Sequence, residues 1–292
     1  MIVDAHHHVW RQAHTPWLQG PVVPRIFGDY EPIRRDYLID EYLADARPCG
    51  VAKSVYSQVN VAPGEEVAEV AWVQSVADRH GFPHAITGFA NLADPGVAGT
   101  LDRELEHPNL RGIRQQLHWH EDPLYRFAPR PDIMNDAAWR RGLAEVGRRG
   151  LVFELQVFPS QMADAARLAR DFPDLTLVLM HAGMQHDRSE GGLAAWRAGM
   201  DALAACPNVV TKLSGLGTFE RRCTPELWRP IVRETVERFG PSRCMFGSNF
   251  PVERLWARYA DEVDATRAAI ADLSPGEQDE VMTRTAERIY RI

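Results

Sequence analysis

Eight short apolar runs recur along the chain, at residues 2–9, 51–59, 84–92, 110–119, 151–158, 175–183, 208–217 and 243–252, with helix-patterned segments between them. Residues Glu65 to His80 carry Val67, Val70, Ala71, Val73, Val76 and Ala77 at helical spacing, and Asn135 to Arg149 reads the same way before the next run. Gly50, Gly81 and Gly150 each stand just before a run, where a glycine ends a helix. Eight strands alternating with helices in 292 residues predict one parallel sheet closed into a single (β/α)8 barrel over residues 1–292. An open doubly wound sheet is the competing arrangement. No Gly-x-Gly-x-x-Gly follows the first run, as a dinucleotide site on such a sheet would need.

Composition narrows the function classes. Hydrophobic residues make up 45% and charged residues 25%, ordinary for a globular chain, and the net charge of -7 argues against nucleic acid or an anionic membrane as the main partner. No window reaches the roughly 18 to 20 apolar residues of a membrane span, and no secretory leader is evident, so a cytoplasmic protein is expected. Cys49, Cys206, Cys223 and Cys244 are widely spaced and suggest neither a disulfide framework nor a zinc ribbon.

Two segments lie outside the alternating pattern. Trp10 to Arg35 is rich in Pro, Gly, Trp and Arg and reads as a long ordered loop over a site. Residues 274–290, opening Ser274-Pro275-Gly276-Glu277, read as an extra C-terminal helix with Ser274 as N-cap.

In a barrel the chemistry sits at the C-terminal strand ends, and here those ends are polar. Strand alternation puts His6 and His8 on one side, roughly 7 Å apart along the chain, and His7 on the other. A cloning tag would also place histidines near a terminus, but these three lie inside a strand pattern. Further ends carry Ser57, Gln58 and Asn60; Arg114, Gln116, His118 and His120; Glu154 and Gln156; His181; Lys212 and Ser214; and Ser248 with Asn249. Arg114 needs a partner or an anion, Lys212 and Glu154 either pair with each other or meet substrate, and His118 is either a solvated loop residue or a substrate contact. Gln58 and Gln156 are substrate-binding candidates. So many inward polar ends point to a small polar ligand, with a homo-oligomer left open.

The chain resembles the lactonase-like branch of the amidohydrolase superfamily. The resemblance rests on Asp4-Ala5-His6-His7-His8-Val9-Trp10, Asn109 to Arg114, Phe153-Glu154-Leu155-Gln156-Val157, His181-Ala182-Gly183, Lys212 to Leu216 and Phe246-Gly247-Ser248-Asn249-Phe250-Pro251. It implies a (β/α)8 hydrolase with His6, His8 and His181 as metal-ligand positions and position 249 as the catalytic one. The family's usual residue there is an aspartate that activates water; Asn249 is a neutral amide and cannot act as a base. The resemblance therefore implies at most one divalent ion, zinc being the candidate, and leaves metal-independent activity open. With the aspartate gone, His181, His6, His8 or Glu154 is expected to activate water, with Asn249 holding it and Arg114, Lys212 or a metal stabilising the oxyanion. The expected reaction is opening of a small sugar-acid lactone or carboxylated cyclic ester. The alternatives are a decarboxylase or hydratase-type lyase of the same superfamily and a binding protein that has lost catalysis.

Overall fold

The structure, a computed structural model, describes residues 1–292. Eight parallel strands follow one another around a barrel: β1 (Ile2–His7), β2 (Val51–Ser57), β3 (Ala85–Gly88), β4 (Leu110–Gln116), β5 (Val152–Gln156), β6 (Leu177–Leu179), β7 (Val209–Leu213) and β8 (Cys244–Phe246). Each pairs in parallel with the next, and the ring is drawn together between β1 and the segment after β8, where Asn249 N donates to His6 O at 2.7 Å and His8 N to Phe250 O at 2.7 Å. Helices α1 (Ile39–Ala46), α2 (Glu66–His80), α3 (Val97–Glu104), α4 (Ala137–Arg148), α5 (Met162–Asp171), α6 (Glu190–Ala204), α7 (Pro225–Phe239) and α8 (Tyr259–Ala269) alternate with the strands. The expected (β/α)8 barrel is the architecture found.

Several strands are shorter than the apolar runs that announce them. The run 175–183 holds only the three residues of β6, and 243–252 only the three of β8. The backbone leaves the extended region just beyond, with φ of 54° at His181, 46° at Ala182, 51° at Met184 and 55° at Asn249. Left-handed backbone at non-glycine residues is uncommon and costs about 1–3 kcal/mol each, and it gathers at functional sites.

One core lies between barrel and helices, and a second fills the barrel's closed end with Val3, Ala5, Val55, Ala85, Val152, Val178, Val210 and Met245. The C-terminal segment completes that second core. It runs as α9 (Pro275–Asp279), a π-helical turn over Glu280–Arg284 and α10 (Thr285–Tyr290), and Ala286 and Tyr290 plug the barrel floor. Ser274 caps it as expected, with Ser274 Oγ accepting from Glu277 N at 3.4 Å and Glu277 Oε2 accepting from Ser274 N at 2.9 Å.

Trp10 to Arg35 covers the open end. It folds as three short 3-10 turns, and Trp17 packs against Trp10, Phe27 and Tyr30 at ring distances of 5.5, 6.1 and 5.9 Å. No helix is long and apolar enough to cross a membrane.

Candidate active site

Above the apolar floor the barrel holds a charged layer. Lys212 on β7 and Glu154 on β5 are fully buried and meet at 2.6 Å. Glu154 Oε1 also accepts from Tyr290 O–H at 2.7 Å and Thr87 O–H at 2.9 Å. Lys212 Nζ lies 5.2 Å from the centre of the Tyr290 ring and 3.5 Å from His6 Nδ1. Glu154 Oε1 thus faces three donors within the barrel, and Oε2 accepts from Ser57 O–H at 3.5 Å. Glu154, Lys212 and His6 do not line the cavity.

The next layer is the cavity floor, lined by His8 and His181 with His6 set beneath them. Strand alternation brings His6 and His8 together as expected, at 4.9 Å between ring centres, and His181 joins His6 at 5.0 Å. His7 points outward, stacks on Tyr42 of α1 at 3.8 Å and bonds Ser54 Oγ at 3.0 Å. His181 reaches its place through the left-handed turn after β6, and Gly215 makes room for it. A Cβ on Gly215 would come 2.6 Å from His181 Nδ1.

The protonation states follow from the neighbours. Burial, with Arg114 adding to it, pushes the His8 imidazole down to about 3. Burial likewise holds His6 and His181 well below the usual histidine range, with Lys212 and Arg114 acting in the same direction. His8 Nδ1 lies 2.7 Å from the carbonyl oxygen of Ser57, which only accepts. Neutral His8 therefore carries its proton on Nδ1 and its lone pair on Nε2, the nitrogen 3.4 Å from Asn249 Oδ1. His181 bonds Ser214 Oγ at 2.9 Å, and a hydroxyl permits either tautomer.

Arg114 is the cation of the floor. Its guanidinium donates to Ser57 Oγ at 3.0 Å, Gln58 O at 3.2 Å and Gln156 Oε1 at 2.9 Å, so each direct hydrogen-bond partner is neutral. Burial lowers it to about 10, which leaves it charged at neutral pH. Gln58, Gln156 and His118 all border the cavity; His118 stands against Phe127 and Phe158 at 5.4 and 5.5 Å, its buried Nδ1 unpartnered.

Above these residues opens a cavity of about 400 Å³. Its walls include an amide chain in which Gln58 Oε1 accepts from Asn60 N at 2.6 Å and Asn60 Nδ2 donates to Gln116 Oε1 at 2.8 Å. The covering loop contributes Trp10, Trp17, Arg25 and Phe27, and Arg126, Phe127, Thr218 and Phe219 come from the loops after β4 and β7. Arg25, Arg126 and Phe219 carried no individual signal in the sequence, because loop residues acquire a direction only from the fold.

The histidine set is a partial match to a metal centre. His6 Nε2 is buried without a partner, as a ligand atom would be. Yet no group of three or more His, Cys, Asp or Glu is placed to hold a metal ion, and Lys212 and Arg114 put positive charge against the same rings. Two cations against the same rings and no assembled set of three ligands do not fit a dication in this arrangement.

The match to known proteins extends over the whole barrel. The amidohydrolase family model matches residues 3–292. An uncharacterised protein of Sinorhizobium fredii is 39% identical over 100% of this chain and 98% of its own length. The L-fucono-1,5-lactonase of Burkholderia multivorans is 31% identical over 99% of this chain and 96% of its own. A crystal structure of an amidohydrolase from Burkholderia multivorans with bound zinc is 28% identical, with a TM-score of 0.84 over 100% of this chain and 99% of that one. Fold and relatives agree, and the chain belongs to the amidohydrolase family, in its lactonase-like branch.

Proposed function

We propose that the protein opens a small sugar-acid lactone by attack of water at the barrel mouth. The observation that carries this reading is the tautomer of His8. Its Nδ1–H is committed to the Ser57 carbonyl, and its Nε2 lone pair faces the cavity floor beside Asn249 Oδ1. Two acceptors 3.4 Å apart cannot bond each other, but a water on their cavity side donates one O–H to each. His8 then takes one proton as the water oxygen bonds to the lactone carbonyl carbon, and Arg114 stabilises the resulting oxyanion. Collapse breaks the bond to the ring oxygen, which leaves with the proton held by His8 and yields the hydroxy acid. The amides of Gln58, Asn60, Gln116 and Gln156 suit the hydroxyl groups of a sugar ring, and the likeness to fuconolactonases points the same way.

No step in this route passes through a metal, although one similar protein is described with bound zinc. The test is a screen of aldonolactones by proton release, with metal analysis, before and after chelation. Lactone opening that survives removal of all zinc is the expected result. Loss of turnover together with stoichiometric zinc would overturn the metal-free route, and failure to open any lactone would overturn the substrate class. A guanidinium without an acid partner also suits a carboxylate, which keeps the lyase reading as the alternative. Carbon dioxide release from a small carboxylic acid in the same screen would select it.

A further inference from the structure

The covering loop Trp10 to Arg35 holds Arg11, Arg25, Arg34 and Arg35, and the last two are neutralised: Arg34 pairs with Glu31 at 2.7 Å and Arg35 with Glu41 at 2.6 Å. Arg25 is not. It lines the main cavity with its guanidinium 5.6 Å from the centre of the Trp17 ring and 5.9 Å from that of Tyr30, and its buried Nε has no hydrogen-bond partner. The rings that hold it are themselves held, since Trp17 Nε1 donates to Val59 O at 2.7 Å and the Tyr30 hydroxyl accepts from Val23 N at 3.2 Å. The loop's own acids are committed elsewhere, Glu31 to Arg34 and Asp29 Oδ1 to the Glu31 N–H at 3.0 Å. Stacking on aromatic faces fixes a guanidinium in place and leaves its edge, which carries the N–H donors, free for an acceptor.

The rest of the cavity has the same sign. Its 28 lining residues include Arg25, Arg114 and Arg126 but not one aspartate or glutamate, although acids outnumber bases in the chain by 40 to 33, so composition does not explain the bias. Arg126 donates its Nε–H to the main-chain His120 O at 2.9 Å and stands over the Trp119 ring at 5.2 Å. A cleft walled by one sign of charge concentrates ions of the other. A neutral lactone engages only Arg114, through the oxyanion that forms at its carbonyl, and leaves the arginines of the mouth without a counter-charge. We propose that the substrate carries a fixed oxyanion group, a carboxylate or a phosphate, in addition to its lactone ring, and that Arg25 is the specificity-determining residue that receives it. This inference deepens the lactonase reading and rests on it for the kinetic arm of the test alone.

The binding arm titrates the full chain calorimetrically with open-chain acids of one hexose skeleton: gluconate, glucarate with its second carboxylate, and gluconate phosphorylated at its terminal hydroxyl. At least one acid bearing the second anion is expected to bind about 10- to 100-fold more tightly than gluconate, and the acid with the larger ratio identifies the anion. In Arg25→Met that ratio is expected to fall to within about threefold of unity. Arg11→Met removes an equal charge from the same loop, where Arg11 stands over Trp72 outside the cavity, and is expected to keep the ratio. A parent ratio below about threefold for both acids, a ratio retained in R25M, or one lost equally in R11M overturns the proposal. Should R25M fail to fold, Arg25→Gln lays a neutral amide over the rings and the same thresholds decide. The kinetic arm follows opening of the corresponding lactones, where R25M is expected to raise KM for the anionic lactone about 10- to 100-fold with kcat within about threefold of the parent. A fall in kcat with KM unmoved overturns the proposal. A binding ratio that holds while no lactone opens supports the role of Arg25 and overturns the lactonase reading; lactones opened with no such ratio overturn the role of Arg25 and leave that reading intact.

Discussion

A buried imidazole works as a base only when one nitrogen is tied to an acceptor and the other is left free, and His8 meets both conditions. Its neighbour in the layer below, Glu154, has a base's chemistry but not its freedom, because Lys212, Thr87 and Tyr290 all point donors at it. The two residues therefore separate by experiment. His8→Gln is expected to lower kcat by about 10²- to 10⁴-fold with the melting temperature nearly unchanged. Glu154→Gln strands the buried Lys212 charge and is expected to cost about 3–5 kcal/mol of stability in denaturant titration. If E154Q unfolds at the parent's midpoint yet loses turnover, Glu154 belongs with the catalytic groups. Residue types alone leave His181, His6, His8 and Glu154 all as candidates. The difference between them is which atoms face donors, and that depends on strands far apart in sequence.

At the scale of elements, the clearest case is the C-terminal segment. Ser274, Pro275 and Glu277 announce a helix start, and the capping box forms as those residue types predict. What this helix does is not visible in its own residues. It closes the floor of the barrel, and Tyr290 extends the hydrogen bonds of the Lys212–Glu154 layer at 2.7 Å from Glu154 Oε1. Tyr290→Phe removes one donor to a buried carboxylate, and a loss of about 1.5–3 kcal/mol is expected in the same titration. A loss below about 0.5 kcal/mol would mean that the layer does not depend on the helix. Strand lengths show the converse limit. Apolar runs locate β6 and β8, but the left-handed residues His181 and Asn249 end extended structure early, and no apolar pattern signals that change.

Across the whole molecule, two opposed sets of buried titratable groups set the pH range of stability. His7, His8 and His118 are held down to about 3 by burial. The unfolded chain therefore takes up protons below about 6.5 that the folded chain does not, and stability falls as pH drops through that window toward 3. Burial pushes Glu69 and Glu253 up to about 7 and Glu104 up to about 9. Their contribution is fully present below the ordinary carboxyl range and is lost as pH rises through 7 and on to 9. The melting temperature is expected to peak between about pH 5 and 6, and a flat profile from pH 4 to 9 would show that these groups are not held as described. The repeating strand–helix order, the closed parallel barrel, the facing pair His6 and His8, and the neutral amide at position 249 are all legible along the chain, because periodicity and residue chemistry are local properties. It takes the folded barrel to make Lys212 and Glu154 neutralise each other below the site and to leave Arg114 with neutral partners. Those outcomes depend on which atoms end within hydrogen-bond reach, and reach across a barrel is fixed by closure and register rather than by the order of residues along the chain.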